Sequence, residues 1–174
     1  MKPIGVTMLA AALSAAALAQ QFKFNLDHLA AKASSAVDLS LNGSTLQFAA
    51  KFLDGNDPDE AAVKKLIAGL EGIYIKNFEF RKDGEWSQAD LDQVRAQLRA
   101  PEWSRMIGMK SAEEGETVEV FVRTEEKKVT GVAILAAEPR ELTVVNIVGP
   151  VDLDSLSQLG GHFGVPKVDT KKEK

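Results

Sequence analysis

The chain has 174 residues, 45% of them apolar and 26% charged, with a formal net charge of −4 and a pI near 5.3. This is the composition of a globular protein long enough for one self-supporting core, and the acidic balance argues against a nucleic-acid partner, whose phosphates must be met by Lys and Arg. Cysteine is absent, which excludes disulfides, thiolate nucleophiles, Cys-ligated zinc and lipid attachment through cysteine.

The N-terminus carries one cation, Lys2, followed by an apolar or small run from Ile4 to Leu18 and then Ala17-Leu18-Ala19 before Gln20. That is the pattern of a secretory signal peptide cleaved after Ala19. The apolar run, about 15 residues, falls short of the roughly 20 that span a bilayer. No later segment reaches that length, so no transmembrane span is expected after signal cleavage. The protein is expected to be exported, periplasmic or secreted. Residues 20–166 are expected to form one domain and 167–174 (KVDTKKEK) a disordered charged tail.

Leu26, Leu29, Ala30 and Ala33 fall on one face of a short helix, with Asn25 or Asp27 as cap. His28 lies off that face and reads as a solvated neighbour of Asp27 with no triad partner. Val37, Leu39 and Leu41 alternate with Asp38, Ser40 and Asn42, a half-buried strand. Asn42-Gly43 turns the chain, and Leu46, Ala49, Ala50 and Leu53 return to helical spacing with Ser44 or Thr45 as cap. Asp54, Asp57, Asp59 and Glu60 surround Gly55 without the ligand spacing of a calcium loop. They read as a solvated loop that caps the next helix.

That helix opens with Asp57 as cap, Pro58 at its first position and Glu60 three residues past the cap. Val63, Leu66, Ile67 and Leu70 make its stripe, and Gly72 its expected stop. Ile73–Phe80 is a strand in which Ile73 and Ile75 have one parity, Phe78 and Phe80 the other. A bulge at Lys76-Asn77 would bring all four to one face; without it, both faces are apolar. Ser87 with Asp90 caps a further helix, and Trp86 is placed to pack on Leu91. Leu91, Val94 and Leu98 should face the core, with Arg95, Gln97 and Arg99 outward. Pro101 ends the helix, and Trp103–Lys110 reads as a strand that Gly108 weakens.

Thr117–Arg123, Val129–Ala137 and Glu141–Gly149 form a meander whose short connections allow only antiparallel neighbours. Val118, Val120 and Val122 point one way; Glu119 and Phe121 point the other, where Thr117 and Arg123 complete a polar face. The next two strands are apolar on both faces, as when both are covered. Helices can take one face. The other must meet remaining elements, a second copy or a ligand, which singles out Phe121, Leu135, Val145 and Ile147 as the candidate partner or ligand surface. Asn146, inside an apolar run, reads as a satisfied structural amide rather than a pocket group. A short helix from Asp152 or Asp154 through Leu159 and then His162 follow Gly149-Pro150.

Three phrases carry a family resemblance: Gly69–Ile75 (GLEGIYI), Trp103–Gly108 (WSRMIG) and Leu142–Leu153 (LTVVNIVGPVDL). In combination they resemble the secreted bacterial proteins grouped as domain-of-unknown-function family 4252, over about Asn25 to Val165. The resemblance implies bacterial origin and export, often with a membrane tether through a cysteine, which this chain lacks. It implies no activity and no catalytic residues.

No GxSxG, HExxH, phosphate loop or paired His/carboxylate spacing is present, so no catalytic, cofactor-binding or metal-binding residue is assigned. The expected function is a non-catalytic envelope interaction or binding module, meeting a protein partner or self-associating through a sheet face or edge. The alternatives are a carrier of an apolar small ligand and a hydrolase without a recognisable motif. The expected architecture is α+β: a mostly antiparallel sheet with the 117–149 meander at its centre or one end, and helices packed on one face. The place of strand 37–41 stays open. Beside Ile73–Phe80, the intervening helices could make that pair parallel.

Overall fold

A computed structural model describes residues 24–151. The strands are β1 (Ser35–Asn42), β2 (Gly72–Glu79), β3 (Trp103–Lys110), β4 (Thr117–Glu125), β5 (Lys128–Glu138) and β6 (Glu141–Val148). The helices are α1 (Asp27–Ala30), α2 (Gly43–Ala49), α3 (Pro58–Ala68) and α4 (Gln88–Arg95), and a 3-10 turn, Ala50–Phe52, extends α2. The strands form one sheet in the order β1-β2-β6-β5-β4-β3, antiparallel throughout. The α+β class and antiparallel sheet expected from the sequence are thus observed.

The meander is the middle of this sheet. Glu126 and Lys127 turn β4 into β5 with φ of 49° and 67°, the left-handed pair that a two-residue hairpin loop needs to match strand twist. β6 then inserts between β5 and β2, which makes it central: every residue from Leu142 to Val148 is buried. Gly149, with φ of +122°, carries the chain past the end of α3, where a Cβ would sit 2.8 Å from the Glu71 nitrogen.

Two apolar clusters lie on opposite sides of the sheet, because strand residues of alternate parity enter different clusters. Phe78, Phe121, Ala133, Leu135, Leu142 and Val144 pack under Leu29 of α1 and Leu91 and Val94 of α4. Ile73, Ile75, Val120, Ile134, Val145 and Ile147 pack under Leu46 of α2 and Val63 and Ile67 of α3. Helices therefore cover both faces, where the sequence reading placed them on one. A strand apolar on both sides has to be covered twice. β2 shows the same logic: it pairs on both sides without a register break, so the parity switch at Lys76-Asn77 divides it between two cores and needs no bulge.

β1 does lie beside β2, but antiparallel, with Asn42 opposite Gly72. The connection holds two helices, so it goes out and returns to the same end of the sheet instead of crossing over. α2 is capped by Asn42, whose Oδ1 accepts from the Thr45 nitrogen at 3.0 Å, in place of Ser44 or Thr45. Asp57 caps α3 as expected, accepting from Asp59 N at 2.9 Å and Glu60 N at 3.1 Å. α3 ends at Ala68 with Gly69 as cap, and Gly72 instead opens β2.

Candidate functional site

α4 lies on the face of the sheet that carries Thr117, Glu119 and Phe121. Leu91 and Val94, with Leu98 just past its end, anchor it there, each at most 4% exposed. Its neighbour at the open side is β3, an edge strand paired only with β4. Between helix and edge lies a cleft of about 510 Å³ lined by Gln88, Arg95, Arg105, Gly108, Met109, Lys110, Thr117 and Glu119.

Glu119 organises this cleft. Its side chain is only 7% exposed. Arg95 Nε donates to Oε2 at 2.6 Å and Arg105 Nη1 to Oε1 at 3.1 Å. Arg95 also holds Asp92 of its own helix at 2.8 Å. Burial pulls the Arg95 guanidinium down, but the hydrogen bonds from Glu119 and Asp92 outweigh it and the net shift is upward. The Asp92 carboxyl is held low by the Arg95 and Gln88 hydrogen bonds. Arg105 is different: its side chain is 61% exposed and lies along Gly108, where a Cβ would meet its Nε at 3.4 Å. Lys110 is exposed and has no ion-pair partner among the described residues. Three cations thus line the cleft and meet two carboxylates, buried Glu119 and exposed Asp92, which leaves one net positive charge there on a chain that is acidic overall.

The sequence reading placed Arg95 outward and Glu119 on a polar face. The structure joins them in a half-buried network instead. The available signal was a lone Glu between Val118 and Val120, on the strand face that also carries Phe121. No spacing rule links it to an Arg on another element.

Phe121, Leu135, Val145 and Ile147 are respectively 7%, 1%, 0% and 1% exposed. Phe121 and Leu135 lie under α1 and α4, Val145 and Ile147 under α2 and α3. The structure therefore splits the four between two cores and closes them under helices. Asn146 departs from its expected role as a satisfied amide. It is 0% exposed, and neither its Oδ1 nor its Nδ2 has a hydrogen-bond partner. Its strand neighbours are Tyr74 and Ala133; the alanine offers no polar side chain.

His28 pairs with Asp90 at 2.7 Å, which ties α1 to α4, and not with Asp27. Asp90 also accepts from Ser87 N at 2.7 Å and Ser87 Oγ at 2.8 Å. Ser, His and Asp are therefore together, but the carboxylate sits in the middle. A hydrolytic triad needs the serine on the histidine, which takes its proton; here the serine donates to the aspartate as part of a helix cap. Burial pushes the Asp90 carboxyl up, but the Ser87 and His28 hydrogen bonds overcome this and hold it below its usual value. Lys76 is bonded to Asp27 at 2.6 Å and Asp38 at 3.1 Å, which fixes α1 and β1 to the sheet.

Two further groups of carboxylates are explained locally. Around Gly55, Asp54 accepts from Asn56, Glu60 from the Asp54 nitrogen and Asp57 from the start of α3. Glu116, Glu138 and Glu141 line a notch of about 50 Å³. That holds about a water or two. Burial and the neighbouring glutamates push the Glu138 carboxyl up. Among the described residues, no three His, Asp or Glu side chains are arranged to hold a metal, and no helix is long and apolar enough to cross a membrane. His162 and the expected helix after Gly149-Pro150 lie outside the described residues.

Comparison with curated proteins and with solved structures gives no match. Residues 31–159 match the family described as "Domain of unknown function (DUF4252)", which spans every strand of the sheet and the three longer helices, and the chain belongs to that family.

Proposed function

We propose that this protein is an exported, non-catalytic binding module of the bacterial envelope, and that its cleft between α4 and β3 receives acidic side chains of a protein partner. The observation that carries the reading is the local charge. Arg95, Arg105 and Lys110 converge on a cleft of about 510 Å³ in an acidic chain. Glu119 holds Arg95 in place, so one cation is preorganised, while Arg105 and Lys110 stay exposed to meet an anion. Complementary charge steers such a partner and selects it against others. The polar lining suits this role better than the carriage of an apolar ligand. Export rests on the N-terminal leader pattern, Lys2 followed by an apolar run and Ala17-Leu18-Ala19.

The test uses a fluorescent oligo-glutamate peptide as probe, with oligo-lysine as control, read by anisotropy at low and high salt. Oligo-glutamate should bind, weaken with salt, and weaken by about tenfold or more in the Arg105→Ala, Lys110→Ala double variant. No preference over oligo-lysine, or binding that the double variant leaves intact, would overturn the proposal.

A further inference from the structure

The two edges of the sheet are built differently. β3 carries the features that block edge-to-edge pairing: its register with β4 breaks between Arg105 and Ile107, and Arg105, Gly108 and Lys110 lie along it. β1 carries none of them. Ser35 to Asn42 contains no Lys, Arg or Pro, and all eight residues pair with β2 without a register shift. Its one charge, Asp38, is paired with Lys76 at 3.1 Å. Its outer edge has no strand beside it among the described residues.

We propose that β1 is the docking surface for a second copy of this chain. The two β1 strands pair antiparallel about a twofold axis at Leu39 and join both sheets into one.

The strand is self-complementary in that register. Leu39 meets the partner's Leu39, Val37 meets the partner's Leu41, and Asp38 meets the partner's Ser40. Moving the axis to Asp38 would set two carboxylates directly opposite, which cross-strand pairing disfavours. Val37, Leu39 and Leu41 lie on the face covered by α2, so the apolar row runs on from one copy into the next.

The helix beside β1 supports the same axis. Leu46 and Ala50 of α2 and its 3-10 extension are buried over Ile73, Ile75, Leu39 and Leu41. Gln47, about 100° further round, donates to the Ala68 carbonyl of α3 at 2.9 Å. By the same step Phe48, about 200° from Leu46, turns away from the sheet, and Phe52, on the 3-10 turn that follows, is not packed into the core either. They are 60% and 75% exposed and pack edge to face at 5.2 Å. α2 leaves the Asn42 end of β1 and runs back over it. At about 1.5 Å rise per helical residue and about 3.4 Å per strand residue, Phe48 comes level with Ser40 and Phe52 with Asp38, on either side of Leu39. With strands about 4.8 Å apart, two α2 helices seated over their β1–β2 pairs stand about 10 Å apart across the axis, a normal helix-packing distance. Seven paired residues from each strand, Ala36 to Asn42 in this register, alone make a small interface. Four phenyl rings, 60% and 75% exposed in each copy, can add at most that fraction of the roughly 150–250 Å² an aromatic side chain buries, which brings the contact toward the lower end of stable interfaces.

Sedimentation velocity of the purified chain over a concentration series tests this. Twice the monomer mass is expected. Val37→Lys should raise the dimer dissociation constant by about tenfold or more by placing a cation at the seam. The Phe48→Ser, Phe52→Ser double variant should do the same, and at a concentration low enough for wild type to be monomeric its thermal transition should match wild type, because those rings are exposed in one copy. Since the chain has no cysteine, Leu39→Cys should give a disulfide-linked dimer on mild oxidation and Ser104→Cys on β3 should not. A monomer at every concentration overturns the proposal. So does a dimer that neither the lysine nor the serine variant weakens.

Discussion

Replacing Glu119 by Gln keeps the side-chain volume and removes only the charge, so it isolates the electrostatic network of the cleft. The carboxylate is 7% exposed and accepts from Arg95 at 2.6 Å and Arg105 at 3.1 Å. Losing one partner of a fully buried ion pair costs about 3–5 kcal/mol. Two features reduce that here. Arg105 is 61% exposed, and exposed pairs contribute about 0–1 kcal/mol. Arg95 is 26% exposed and keeps Asp92. What remains is one charge-assisted hydrogen bond to a half-buried guanidinium, about 1.5–3 kcal/mol. For a domain of this size that corresponds to a melting temperature lowered by roughly 5–10 °C. Urea denaturation of Glu119→Gln, Arg95→Met and the double variant measures it. The cycle should give a coupling of about 1 kcal/mol or more. A Glu119→Gln change below about 0.5 kcal/mol, the level of an ordinary surface substitution, would show that the network contributes little and that the cleft cations are not held in place by it.

Asp90→Asn should cost about 1 kcal/mol at neutral pH through loss of the charged helix cap. Because the folded-state carboxyl is held below its unfolded value, that stability is present above pH about 4 and is lost as pH falls through the folded value. The difference between wild type and variant should therefore shrink to nothing on acidification; a constant difference across the acid limb would contradict this assignment. Asn146→Leu should raise the urea midpoint by about 1–3 kcal/mol in stability, since it removes two buried polar atoms that have no partner. A loss of stability instead would mean that the amide is satisfied in solution.

The local chemistry of this chain was legible in its residues because it depends on neighbours in sequence. Asp57-Pro58 starts a helix because a carboxylate caps the first free amides and proline needs none. Ser87 and Asp90 start another for the same reason. The meander strands were legible because short turns admit only antiparallel neighbours, and the α+β class follows from them. The double-sided apolar character of β5 and β6 also said that both faces must be covered. It did not say by what. Which helix lies on which face is decided by the path of the chain between strands. The pair α2–α3 returns to the end it left, whereas α4 carries the chain from β2, near one edge, to β3 at the other. That path fixes the two central facts about the candidate site. It sends β6 into the centre of the sheet, where Val145 and Ile147 become core instead of surface. It also lays α4 across β4, so that Arg95 meets Glu119 from 24 residues away. Sequence alone determined the elements and their caps. Tertiary structure decided the site, because a contact between distant residues leaves no periodicity behind it.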